Sequence, residues 1–242
     1  MRRTFAILLV IFLSGLVAGC ATQALHTAAT DELATGGAPG TRAYWWFARY
    51  SITWPEGTEP DWRVDLLLAD AVIKPVLNAH RQQLRYWRFH RRALRDAAGH
   101  EFSFIFYTDQ DTAGKIYTAL SGDKLTAQLV EKNILQKIIT DNLENNRLTA
   151  VKDTSDKNWS ETLQNAWPAY IMGVSDMWLQ LIQQNVVAYA PDTAVDKLLQ
   201  RYGDANDKIT ALWQKEGQHA FLHHLNAIFG YEPIIINKAV EF

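Results

Sequence analysis

The chain predicts an α+β fold, a ferredoxin-like split βαβ sheet followed by a helical C-terminal region, and three observations predict it. Phe102, Phe104 and Phe106 alternate strictly with Ser103, Ile105 and Tyr107, the period of a half-buried strand. The turn residues Asp96-Ala97-Ala98-Gly99 precede that run and invite the segment before it to pair as a hairpin. Past Lys157 strand-like alternation disappears, and apolar residues recur at helical spacing instead.

Each element follows in order. Tyr44 to Trp54, rich in aromatic and β-branched residues and closed by Pro55 and Gly57, reads as the first strand. Asp61 reads as the N-cap of a helix with Val64, Leu67, Leu68, Ala71 and Val72 on one face, interrupted at Pro75. The hairpin comes next. Setting Arg95 opposite His100 puts Trp87, Phe89 and Ala93 on the side of the three Phe residues, and Arg88, His90, Arg92, Ser103 and Tyr107 on the other. Asp109 caps a helix through Ala113, Ile116, Tyr117 and Leu120, and a second helix carries Leu125, Leu129, Ile134, Leu135 and Ile138. Arg147 to Val151 supplies the fourth strand, completing the split unit in residues 43–157.

In the helical region, 158–242, Tyr170, Val174, Met177, Trp178, Leu181 and Ile182 form one apolar stripe. A short helix from Asp192 stops at Gly203, and a longer one starts at Asp207. Pro233 to Ile236 reads as an edge strand or an extended strap.

The N-terminus has three blocks: Arg2 and Arg3, an apolar run from Phe5 to about Val17, and small residues up to Cys20. This is the pattern of a secretory signal, with an apolar run short for a permanent membrane span. Leu16-Val17-Ala18-Gly19-Cys20 resembles the lipobox of bacterial lipoproteins. The resemblance implies a signal peptide over residues 1–19 and acylation of the Cys20 thiol, with Ala21 after it favouring the outer membrane, periplasmic face, over the inner membrane. Each methylene buried in lipid adds about 0.8 kcal/mol, so several acyl chains make a lasting anchor. Residues 20–42 lack aromatic residues and carry Gly-Gly and Pro-Gly pairs, as a tether with an r.m.s. span of roughly 25 Å would.

Charge and cysteine usage narrow the function. Removing Arg2 and Arg3 from 24 basic residues leaves 22 against 26 acidic ones, a balance of −4 that gives nucleic acid no purchase. Cys20 is the one cysteine, so no disulfide staples the fold and its core must hold it. Nine tryptophans supply core bulk.

Two constellations carry possible chemistry. Glu216, His219 and His223 fall along one stripe of an unbroken helix, and imidazoles four apart can share a metal ion or act as acid and base. A bland polar helix end explains them better, since there is no second Glu-x-x-His and no His-Glu-x-x-His. The polar hairpin face of Arg88, His90, Arg92, Ser103 and Tyr107, joined by Arg49, Ser51 and Thr53, offers paired donors to an anionic ligand. Gly173-Val174-Ser175-Asp176-Met177 lacks the second glycine of a nucleophile elbow, so Ser175 reads as structural. No cofactor motif is present. The expected role is a non-catalytic binding or assembly module anchored to the membrane, partnered by an envelope protein or an anionic ligand. The alternative is an envelope enzyme or metal-binding protein using the His/Glu helix.

Overall fold

Aromatic and small side chains share Ala43–Ile52, which forms the long central strand β1. The computed structural model describes residues 42–233. The signal peptide, Cys20 and all of the tether except Arg42 lie outside the described residues, as do 234–242, the greater part of the expected C-terminal strap. Every described residue belongs to one compact unit.

β1 pairs antiparallel with β3 (His100–Asp109) on one side and with β4 (Leu135–Thr140) on the other, and β2 (Tyr86–Ala93) pairs antiparallel with β3. The order is β2-β3-β1-β4. β1 and β2 therefore run parallel with β3 between them, and β3 and β4 run parallel with β1 between them. The α+β class predicted from the alternating Phe residues is the class that forms. Trp46, Ala48, Tyr50, Trp87, Phe89, Phe102, Phe104 and Phe106 share one face and are buried. Each Å² of apolar surface this aromatic layer removes from water contributes roughly 25 cal/mol to stability.

That face is covered by the helices of the two crossovers. α1 (Trp62–Leu67) and α2 (Lys74–His80) are joined by a π-helical turn, Leu68–Ile73. Pro75 has no N–H to offer the Ala71 carbonyl, and the chain absorbs the break with this turn just upstream. α3 (Gln110–Ser121) starts where expected, its Asp109 carboxylate accepting from the Thr112 N–H at 2.9 Å. Its Ile116 and Leu120 join the same core as Leu129 of α4 (Lys124–Glu131).

The ferredoxin-like split βαβ unit drawn from the sequence is corrected in its last strand and in its register. The fourth strand is Leu135–Thr140, not 147–151, and the helix expected across Leu125 to Ile138 ends at Glu131. Asn133 takes a left-handed conformation (φ 56°) and turns the chain, after which the β-branched Ile138 and Ile139 pair with β1. Residues 147–151 instead make a strap: the Trp45 N–H donates to Leu148 O at 2.9 Å, and its indole N–H donates to Val151 O at 3.0 Å. The crossover from β1 to β2 is a helix broken by a π turn, and that from β3 to β4 is two helices. In the hairpin Ala93, not Arg95, faces His100. A shift of two residues preserves the side on which each residue points.

Two long helices follow the strap, α5 (Glu161–Asn185) and α6 (Val195–Gly217). None of the described helices is long and apolar enough to cross a membrane. α6 runs through Gly203 without a stop. A Cβ there would lie 3.2 Å from Arg63 Cδ, so this glycine serves close approach to α1 rather than termination. Tyr202 and Asp70 tie the same two regions together: the tyrosine hydroxyl donates to the buried carboxylate at 2.7 Å, and Lys74 pairs with its other oxygen. Asp65, fully buried on α1, receives His100 Nε2 at 3.1 Å and Arg91 at 3.6 Å, joining the helix layer to β3 and β2.

α5 lies along the outer edge of β2. Pro168 within it leaves the Gln164 carbonyl without its helical donor, and the Ser155 hydroxyl supplies one at 2.7 Å. Two turns further on, Ser175 accepts from the Phe89 backbone N–H at 3.0 Å while donating to the Ile171 carbonyl at 2.8 Å. This hydroxyl satisfies a buried edge-strand donor, so Ser175→Ala is expected to destabilise the protein by about 1–3 kcal/mol in urea unfolding, with the far-ultraviolet spectrum of the folded state unchanged.

Candidate functional site

β2 is an edge strand, and its alternation sends Trp87, Phe89 and Arg91 to the core face and Arg88, His90 and Arg92 to the opposite face. α5 is held to that edge by Ser175, and α6 is held to α1 by Val195, Leu198, Tyr202 and Ala205. Where the two helices stand apart above β2, they leave a groove with a cavity volume of about 610 Å³. Trp167, Ile171 and Trp178 of α5 face Ile209, Leu212 and Trp213 of α6 across it.

Local sequence shapes the far wall. Trp213 stacks on Phe221, with ring centroids 5.8 Å apart. Gly217 lies between them, one helical turn from each, and a Cβ there would come within 3.0 Å of the indole. The glycine thus lets Trp213 lie flat against its own helix. Trp213 is 55% exposed although its neighbours are apolar, an arrangement that keeps an indole in water rather than in the core.

The floor of the groove borders a basic cluster. Arg88, His90 and Arg92 of β2 share the polar face with Ser103 and Glu101 of β3, Arg49 of β1 and Lys137 of β4. Arg49 lies 3.6 Å from Glu101, and Arg92 pairs with Asp96 in the hairpin turn. Asp96 is held down to about 2 by Arg92 and by the Gly99 and Ala98 N–H groups. Arg88 has no carboxylate partner among the described residues, and its Nε is buried without a hydrogen bond. Burial lowers the pKa of its guanidinium. His90 is pushed below its ordinary value by loss of hydration and then by Arg88, Arg49 and Arg92, with Glu101 opposing.

The structure thus places the five sequence-predicted sheet residues on one face, but it does not gather them all. Tyr107 sits opposite Tyr86, away from the arginines, with its ring 5.1 Å from Trp45 and its hydroxyl donating to Thr149 in the strap at 2.6 Å. Ser103 is buried beneath the cluster. The His/Glu stripe is altered more deeply. A π-helical turn, Gln218–His223, follows α6 and breaks the regular spacing before the short α7 (His224–Ile228). Glu216 lines the groove, whereas His219 and His223 meet edge to face with ring centroids 5.0 Å apart and His224 stacks on His219 at 5.4 Å, all three exposed. Among the described residues no group of three or more His, Cys, Asp or Glu is arranged to hold a metal ion.

The sequence shows the apolar stripe of α5 but does not mark any part of it as the wall of a site. Nothing in its spacing distinguishes Ile182, which is buried, from Val174 and Leu181, which stay half-buried on the groove. That distinction depends on how far α6 stands off.

Comparison of the chain with family models, with curated proteins and with solved structures finds no match.

The electrostatics of His90 are directly measurable. Its pKa in an NMR titration is expected below 6.5, to rise in Arg88→Gln and to fall further in Glu101→Gln. The unfolded chain is the better proton binder between the two pKa values, so this residue makes stability rise with pH there and decline as pH falls through the window below about 6.5.

Proposed function

We propose that this protein is a membrane-tethered binding module of a bacterial envelope, anchored through acylated Cys20 at the periplasmic face of the outer membrane, which holds the apolar part of a ligand between α5 and α6. The observation that carries the reading is the groove itself. Its volume of about 610 Å³ falls in the range of small-molecule sites, roughly 300–1,000 Å³. Its walls are indole and aliphatic side chains with few polar groups, the composition of a site that binds by removing apolar surface from water.

The walls are also built to stay apart. α5 is fixed on one side by Ser175 and α6 on the other by the Tyr202–Asp70 hydrogen bond, so neither helix need move for the groove to exist. A preformed apolar cleft avoids the ordering cost of building one around the ligand. The expected anchor complements this role, since a tether keeps the module near the lipids and proteins of the envelope without committing it to one of them.

The groove is tested with an uncharged apolar dye such as Nile red on the full-length chain. Binding with a blue-shifted emission is expected, and Trp213→Ala combined with Ile209→Asp is expected to weaken it at least tenfold with no loss of the folded circular-dichroism signal. Dye binding that ignores both substitutions rules the groove out as the site. The anchor is tested separately: radiolabelled palmitate fed to the native host is expected to label the wild-type chain and not Cys20→Ser, with the variant leaving the membrane fraction.

A further inference from the structure

Arg88 and His90 both line the groove and both direct their side chains to the polar face, so the apolar cleft and the basic cluster meet along β2. The charges around that junction can be balanced one by one. Arg49 of β1 has Glu101 of β3. Arg92 of β2 has Asp96 of the turn. Lys137 of β4 is exposed at the far side of the face. Arg88 alone combines burial of a donor atom with the lack of any carboxylate partner among the described residues. Glu216, the one acid lining the groove among the described residues, comes from α6 and forms no ion pair with Arg88 there.

Leaving a buried guanidinium N–H unpaired is unfavourable, and an anion that reaches it recovers a charge-assisted hydrogen bond. With Arg49 and Arg92 already neutralised, and Arg91 of the groove lining paired with Asp65 at 3.6 Å, the unpaired charge at the junction is that of a single guanidinium. It calls for a monoanion, and a carboxylate matches the forked donors of one arginine side-on. We propose that the ligand is an amphiphile with a single carboxylate, its hydrocarbon chain lying between α5 and α6 and its head group on Arg88. This rests on the groove reading above and adds to it the class of ligand. The partial desolvation of Arg88 strengthens the attraction, because opposite charges interact more strongly where water is excluded.

Calorimetry on the full-length chain with decanoate, decanol and decyl phosphate, each below its micelle concentration, separates the possibilities. Decanoate is expected to bind at least tenfold more tightly than decanol. Arg88→Gln is expected to abolish that preference while leaving decanol within twofold of wild type, and Lys137→Gln, on the same face but at its far side, to keep it. Equal binding of decanoate and decanol to the wild type, or a preference that survives Arg88→Gln, overturns the head-group assignment and leaves the groove reading standing. Decyl phosphate binding tenfold more tightly than decanoate overturns the choice of carboxylate. Absence of binding by all three overturns the groove reading along with it. Thermal melts of both variants verify that each is folded.

Discussion

An edge strand with an aromatic face has two needs, and the placement of α5 along β2 answers both. Its outward backbone N–H groups need acceptors, and its large side chains need cover. Ser175 meets the first at Phe89, and Trp178 meets the second with its ring 5.6 Å from Phe89 and 6.1 Å from Phe102. With α5 fixed there and α6 packed on α1, the space left between the two helices is the groove. The position of the groove is thus a consequence of sealing the sheet. The serine that a nucleophile motif would have made catalytic is instead fully engaged in holding a helix to a strand.

Much of this arrangement was legible where a local rule had one answer. The Phe alternation identified β3, and Asp109 identified the start of α3 because a carboxylate in that position satisfies free N–H groups. Facing was read correctly in β2 despite a register off by two residues, since the side-chain period is two. Legibility failed where the deciding partner was distant. The Leu135–Thr140 segment has apolar residues that suit a helix or a strand, and pairing with β1, more than eighty residues earlier, decides it. Gly203 looked like a stop because the side chain it accommodates, Arg63, belongs to another helix.

The same distinction separates the two candidate surfaces. The basic face depends on strand alternation alone, so its residues could be named from the sequence, although which arginine lacked a partner could not. The groove depends on the distance between two helices whose anchors, Ser175 and Tyr202, lie outside any recognisable motif. The histidine stripe depended on an unbroken helix, and a single π turn was enough to separate Glu216 from the imidazoles in role. A one-residue change in helical repeat rotates every following side chain by about 100°, which is why helical wheels mislead downstream of such turns.

The sealing of β2 also sets an order of events as the chain emerges. All four strands are complete by Thr140, but the hydroxyl that closes the outer strand arrives thirty-five residues later, at Ser175. For that interval the nascent sheet carries an open margin flanked by Trp87 and Phe89, the kind of surface on which neighbouring chains stack. The Arg88 guanidinium on the reverse side of β2, without a carboxylate partner among the described residues, gives that margin a positive charge, which discourages two such nascent sheets from meeting edge to edge. The charge proposed to meet a ligand in the finished protein can thus serve, earlier in its life, to keep unfinished copies apart.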